Sequence, residues 1–320
     1  MSSDVVRSAA ARLQWRLQAV EARVEGADSL REVTSAIDDC LDQLCSLGLW
    51  GRENEIPSSE LWKIAGEVLS RGWMQNRART KPRGYAGDYE LLGRIVRNQL
   101  CEDPLGSLFD QYFQNLAAPR AVQNRTELVG QWIVERVSQT NSVQQVVVVG
   151  SGPAYDVELA AKGLNTHDLG RLRVRLLDYD PQSLEDARTR LERLLPPGNL
   201  ELEAGGLFRI PDRPKLGSLL SGADLLISVG MFDYLDDAQA ARMLAEFWRH
   251  AKPGGEVVIF NFSPRNTSRA YMEWIGNWYL IYRDEADMCR MAANAGIEAD
   301  VCQIGSEPLG VDLYLRCRKG

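Results

Sequence analysis

Residues 146 to 156 read VVVVGSGPAYD, and no other run in the chain limits the fold as much. Four consecutive valines suit a strand buried on both faces, where no alternation with polar residues is needed. Gly150 and Gly152 follow at once around Ser151, and an apolar-periodic run from Val157 to Gly163 comes next. Strand, glycine turn and helix in that order form the first unit of a nucleotide-type α/β sheet. The glycines permit a sharp turn and let a ligand approach the main chain. The helix N-terminus behind them suits a carboxylate or phosphate. A dinucleotide fingerprint would carry a third glycine where this chain has Tyr155, which weakens the case for NAD or FAD.

Later segments repeat the unit. Leu172 to Leu177 is a predicted second strand ending in Asp178, followed by Tyr179. An acid at that point holds ribose hydroxyls by charge-assisted hydrogen bonds in such sheets. Asp178 is therefore the predicted ribose ligand, and Tyr179 is placed to pack on an adenine. Asp180 and Pro181 read as the cap and first residue of the next helix. Leu200 to Ala204 is a third strand, and Gly205, Gly206 and Leu207 after it allow close approach to an adenine edge. Asp224 to Val229 is a fourth strand running into Gly230 and Met231, on the side of the sheet where ligands bind. A helix from Asp237 to His250, a turn over Lys252 to Gly255 and a fifth strand from Glu256 to Phe262 follow. After an aromatic segment come a helix from Glu285 to Ala295 and a terminal hairpin, Ala299 to Ile304 with Val311 to Cys317.

The N-terminal part is helical by pattern. Apolar stripes predict helices from residue 3 to about 25, from Ser29 to Leu47 and from Glu60 to about Ser70. RARTKPRGYAGDYE, residues 77 to 90, breaks that pattern and is dense in Gly, Tyr and Arg, as loops over a site often are. Asp88 could belong to such a site or simply cap the helix that begins at Tyr89. A helix from Ala121 to Val137 leads into the first strand. The expected division is a helical lid or substrate domain over 1–118 and a cofactor-binding domain over 119–320.

A net charge of −7 argues against non-specific nucleic-acid binding, which favours basic domains. Six cysteines without a CxxC pair and only two histidines predict no metal site. The absence of an 18-residue apolar run predicts no membrane span, and the lack of an apolar leader predicts a cytoplasmic protein with free thiols.

Residues 120 to 320 resemble class I S-adenosylmethionine (SAM) methyltransferases, whose first motif needs only the leading glycines. PRGYAGDYELL (82–92), GMFDYLDD (230–237) and NFSPRNTSRAYMEWIGNWYLIYR (261–283) are similar to bacterial methyltransferases of 3-hydroxypalmitic acid methyl ester biosynthesis. The resemblance implies an α/β, Rossmann-like sheet with an N-terminal helical domain, and SAM as cofactor. It implies Gly150, Ser151 and Gly152 at the methionine part and Asp178 at the ribose. Gly205, Gly206 and Leu207 would border the adenine, with Val229, Gly230 and Met231 beneath the sulfonium. Tyr85 and Asp88 would close the site, Asp88 on the SAM amino group.

A small-molecule acceptor follows. Neither His167, in a predicted loop, nor His250, at a helix end, is an evident base. A carboxylate, already ionised at neutral pH, needs none. Carboxyl O-methylation, as of a hydroxy fatty acid, is the leading expectation, with N-methylation next. Arg265 or Arg269 could clamp a carboxylate. Tyr271, Trp274, Trp278 and Tyr282 could wall the acceptor pocket or pack the aromatic segment. The alternatives are a SAM enzyme that transfers or cleaves another group, and a non-catalytic SAM-binding module.

Overall fold

The computed structural model describes residues 2–24 and 26–320. By its internal contacts the chain divides into two compact units, Met1–Arg120 with Thr267–Leu280, and Ala121–Asn266 with Ile281–Gly320.

The first unit is helical: α1 (Ser2–Glu21), α2 (Gly26–Cys45), α3 (Glu55–Leu69), α4 (Trp73–Thr80), α5 (Tyr89–Val96) and α6 (Pro104–Asn115). The first helix ends at Glu21; its expected end at 25 lies outside the described residues. Helix α4 has no counterpart among the helices expected from apolar stripes, and it takes the first residues of the expected loop at 77–90. It closes at Lys81 in a left-handed conformation (φ 48°), directly before Pro82, because a residue preceding proline is disfavoured in the helical region. The aromatic segment contributes one wide helical turn, Tyr271–Ile275, to this unit.

The division falls within α7 (Ala117–Ser138), which starts four residues earlier than expected. Pro119 is tolerated there because the first turn of a helix has N–H groups without intrahelical partners.

The second unit is built on strands β1 (Gln144–Val149), β2 (Leu172–Asp178), β3 (Leu200–Ala204), β4 (Ala223–Ser228), β5 (Ala251–Phe262), β6 (Cys302–Ser306) and β7 (Asp312–Arg318). Among the described residues they form one sheet in the order β3-β2-β1-β4-β5-β7-β6. The first five are parallel; β7 runs antiparallel to β5, and β6 antiparallel to β7. Strand order reverses between β1 and β4, so a crevice opens beyond their carboxyl ends. The β5 strand begins at Ala251 rather than Glu256. Its pairing with β4 jumps from Ala223↔Ala251 to Leu225↔Glu256, so the expected turn at Lys252 to Gly255 is a bulge within the strand.

The valines of β1 are fully buried on both faces. Val146 and Val148 pack with α7, α8 (Tyr155–Gly163) and, beyond the short α9 (Thr166–Leu169), α10 (Pro181–Leu191). Val147 and Val149 pack on the other face. After the short α11 (Pro214–Gly217), α12 (Asp237–His250) and α13 (Glu285–Asn294) cover that face. Two cores on one sheet fix the strand ends that carry the site.

Candidate cofactor site

The turn after β1 is left-handed at three positions: Gly150 (φ 65°), Gly152 (φ 51°) and Ala154 (φ 50°). Glycine adopts this region without penalty, whereas alanine does so at a cost, so Ala154 stores strain beside the turn. A Cβ on Gly150 would lie 3.4 Å from the Met231 Cβ and 3.8 Å from Leu207 Cδ1. The glycine turn, the loop after β3 and the loop after β4 thus converge on one point. Tyr155, in the place of a third glycine, is buried at the start of α8 with the Arg190 guanidinium 4.1 Å above its ring.

Asp178 joins the remaining pieces. Its Oδ2 accepts from Gly152 N at 2.7 Å, its Oδ1 from Asp180 N at 2.9 Å, and its backbone oxygen from Gly205 N at 3.0 Å. The carboxyl is nearly buried, and burial raises its pKa. Tyr179 beside it is 65% exposed and Phe208, after Leu207, is 57% exposed. These are large apolar surfaces left open just after β2 and β3. The hydroxyls of Ser151 and Ser228 are buried with no hydrogen-bond partner among the described residues.

A cluster of charged residues not expected from the sequence stands at the ends of β4, β5 and β7. Asp312 opens β7 and is fully buried; Arg125 Nη1, from α7, donates to its Oδ2 at 2.7 Å. The other oxygen, Oδ1, has no partner. Asp233 accepts from Phe262 N at 2.8 Å, and Phe262 is the register partner of Asp312, so the two carboxyls are neighbours. Burial pushes both pKa values up, and their mutual repulsion adds to that of Asp233. Asp156, at the first turn of α8, is raised by burial to about 6. Arg125 lowers all three. Its Nη2 lies 3.5 Å from where a Gly230 Cβ would stand. Arg283 braces the same strand ends, donating to Phe232 O at 3.0 Å, Leu235 O at 2.7 Å and Asn261 Oδ1 at 2.7 Å. A signal existed for Asp312, an acid at the start of an apolar strand. Arg125 had none, since a helix commonly carries arginine on its outer side.

The residues expected to act on the acceptor are differently placed. Asp88 is fully buried, caps α5 through Glu90 N and Leu91 N, and accepts from Arg77 Nε at 2.8 Å on both oxygens. Of the two readings open for it, the cap is the one observed. Tyr271 is buried between Tyr112 and Phe113, with ring centroids 5.3 and 5.4 Å away, and its hydroxyl donates to Gln75. Trp274 is fully buried and Trp278 nearly so. Of the two readings open for these aromatics, packing within the first unit is the one observed for Tyr271, and Trp274 and Trp278 are buried as packing would require. Tyr85 and Tyr282 are half-buried. Arg265 is not a free clamp: it pairs with Glu285 at 2.8 Å and donates to Gly310 O at 3.0 Å. Arg269 pairs with the buried Glu273 at 2.7 Å. His250 contacts Ser221 Oγ through Nδ1 at 2.8 Å, and His167 contacts Arg171 at 2.7 Å.

Residues 146–255 match a family model described as a methyltransferase domain. No curated protein sequence matches the chain. Among solved structures, a possible exported protein from Bordetella parapertussis is 17% identical with a TM-score of 0.58, over 100% of this chain and 97% of the other. The CurJ carbon methyltransferase is 11% identical (TM-score 0.54), covering 100% and 91% of the two chains. The SAM-dependent methyltransferase SibL is 17% identical (TM-score 0.51), covering 99% and 96%. The fold is that of the class I, Rossmann-like methyltransferases with a helical N-terminal region. No helix among the described residues is long and apolar enough to cross a membrane, and no group of three or more potential metal ligands occurs among them.

Proposed function

We propose that this protein is a SAM-dependent methyltransferase acting on a small molecule. The observation that carries the reading is the convergence of Gly150, Leu207 and Met231 within contact distance of the atom that Gly150 lacks. Three motifs far apart in sequence thus meet at the glycine turn, where a side chain on Gly150 would touch both of the others. The residues present fit SAM. Asp178, its carboxyl oriented by the amides of Gly152 and Asp180, retains acceptor capacity for ribose hydroxyls. Tyr179 and Phe208 offer exposed aromatic surface to an adenine. The unpartnered Ser151 hydroxyl lies in the glycine turn.

Held in this crevice by Asp178 and the glycine turn, SAM would supply a sulfonium methyl group for in-line displacement. The chain's own contribution is then mostly alignment. Gly230 and Met231 form the floor, and Ala154 and the glycines fix the turn. Arg125 is held by Asp312 through Nη1, and its Nε and Nη2 make no hydrogen bond among the described residues. We assign it the carboxylate of the amino-acid end. Asp312 Oδ1, unpartnered, suits the ammonium of the same end.

The leading acceptor is a carboxylic acid, such as a hydroxy fatty acid. It rests on the resemblance to ester-forming bacterial enzymes and on the engagement of both imidazoles outside the crevice. An amine is the second choice. The helical domain over 1–118 is assigned the selection of the acceptor, with Tyr85 its candidate contact.

Calorimetry with SAM and with methylthioadenosine, which lacks the amino-acid end, tests the cofactor assignment. Arg125→Gln should weaken SAM binding by one to two orders of magnitude and leave methylthioadenosine unaffected. Mass spectrometry after incubation with methyl-labelled SAM and pooled acids and amines tests the reaction. Labelled ester supports the leading reading and labelled amine the second. Methylthioadenosine formed without labelled product would favour non-methylating chemistry.

A further inference from the structure

Cys302 opens β6, the edge strand of the sheet, and Cys317 lies in β7 next to it. Their Cα atoms are register partners across the antiparallel pair, and their Sγ atoms are 3.0 Å apart. Directly opposed residues bring Cβ atoms to within about 4.5–5.5 Å, close to the range that a disulfide spans. The sulfurs therefore need about 1 Å of further approach to reach bonding distance, within the scope of side-chain rotation. Cys302 is half-buried at the sheet edge, while Cys317 is fully buried beneath it. A third thiol, Cys289 of α13, is exposed and near enough for its charge to act on Cys302. No other cysteine pair among the described residues shows such a contact.

We propose that Cys302 and Cys317 are a reversible disulfide site, oxidised by a small disulfide of the glutathione class. The site is independent of the methyltransferase reading. The Cys302 thiolate attacks one sulfur of the small disulfide, forming a mixed disulfide and expelling one small thiolate, which takes up a proton. The Cys317 thiolate then attacks the Cys302 sulfur and expels the second small thiol. Two protein thiols lose two protons and two electrons, and the oxidant becomes two thiols. The accessible cysteine receives the oxidant and the buried one resolves it, which fits their exposures. Closure ties the edge strand β6 to β7, and through β7 to the parallel sheet.

Burial raises both thiols above the ordinary range, and thiolate is the attacking form. Bond formation should therefore be slow at neutral pH and quicken about tenfold per pH unit until the thiol ionises.

The test is peptide mapping of the full-length protein after oxidised glutathione, with free thiols alkylated before digestion. The expected product is a 302–317 linked peptide lighter by two hydrogens, restored by dithiothreitol, with the melting temperature raised by several degrees. Cys289→Ser should form the same link. Several results overturn the proposal: Cys302 joined to Cys289, a stable glutathione adduct on Cys302 with Cys317 still free, or both thiols unmodified while Cys289 reacts. The map is read on the natural sequence, so the outcome does not depend on a variant folding.

Discussion

Two glycine-containing, charged segments invite the same functional reading, yet the structure uses them in opposite ways. In the turn after β1 and the strand ends around it, polar groups are left over: the hydroxyls of Ser151 and Ser228 and one oxygen of Asp312 have no partner. In the segment at residues 77–90, the central groups are spent. Asp88 has its amides and Arg77, Arg77 also pairs with Glu90 at 2.7 Å, and Arg83 stands 5.5 Å over the Tyr89 ring. Glycine and arginine density therefore does not separate a site from a structural clasp. Unspent hydrogen-bonding capacity separates these two segments, because a buried group without a partner is costly unless a ligand completes it; it is not a mark of the site alone, since Trp62 Nε1 and Gln145 Nε2 are also buried without a partner.

The largest effect should come from Arg125→Met. Removing the guanidinium leaves Asp312 buried without its counter-charge, which costs about 3–5 kcal/mol for a broken buried pair. Chemical denaturation reads this directly. A loss below about 1 kcal/mol would mean that Asp312 is neutral in the native protein, and the strand-end cluster would then be as self-sufficient as the clasp.

Asp88→Ala comes next. It removes a helix cap, worth about 1 kcal/mol, and one of the two carboxylates that Arg77 holds; Glu90 stays as its counter-charge, so the loss should exceed the cap alone and stay below that of Arg125→Met. SAM affinity should be unchanged. Weakened affinity at unchanged stability would put residues 77–90 back among the ligand-binding parts and remove the contrast.

The contrast also explains what could be read from the sequence. The parallel strands were legible because a buried strand is a continuous apolar run, and VVVVG or DLLISV cannot easily be anything else. The glycine turn was legible because left-handed backbone needs glycine. Helix α4 was not, since WMQNRART carries almost no apolar stripe and is held by tertiary contacts, such as Met74 N on the Asp110 carboxylate at 2.9 Å. The Arg125–Asp312 pair was invisible for a related reason: its members are 187 positions apart and meet only when the hairpin closes the sheet. The aromatic segment misled in the other direction. Tyr271 and Trp274 look like ligand walls by composition, but interior packing uses the same residue types.

A pH effect follows from the buried carboxyls at the strand ends alone. Asp233 is held protonated up to about 8 by burial first and by Asp312 second, against an ordinary value near 3.8. The folded protein thus binds a proton more tightly than the unfolded chain between those values. Stability should fall as pH rises through that window, by about 1.4 kcal/mol for each pH unit crossed while the folded protein keeps the proton. Asp233→Asn should flatten the upper part of the curve, above the range where Asp312 and Asp156, each raised to about 6, contribute in the same direction. A wild-type curve that is already flat from pH 6 to 8 would show that the carboxyl is open to water.

The smallest effect is expected at Arg265, and it tests the acceptor assignment most sharply. Its ion pair with Glu285 joins two half-exposed side chains, with side-chain exposures of 51% and 52%. Such a pair contributes about 0.2–1 kcal/mol, so Arg265→Ala should barely move a denaturation midpoint. If Arg265 has no part in catalysis, labelled-methyl transfer to acids should also be unchanged. A fall in transfer to acids but not to amines, at constant stability and SAM affinity, would mean that the guanidinium leaves Glu285 for the acceptor carboxylate. In that case an ion pair satisfied at rest would be a working part of the site, and unspent hydrogen-bonding capacity would mark the cofactor side of the crevice but not the acceptor side.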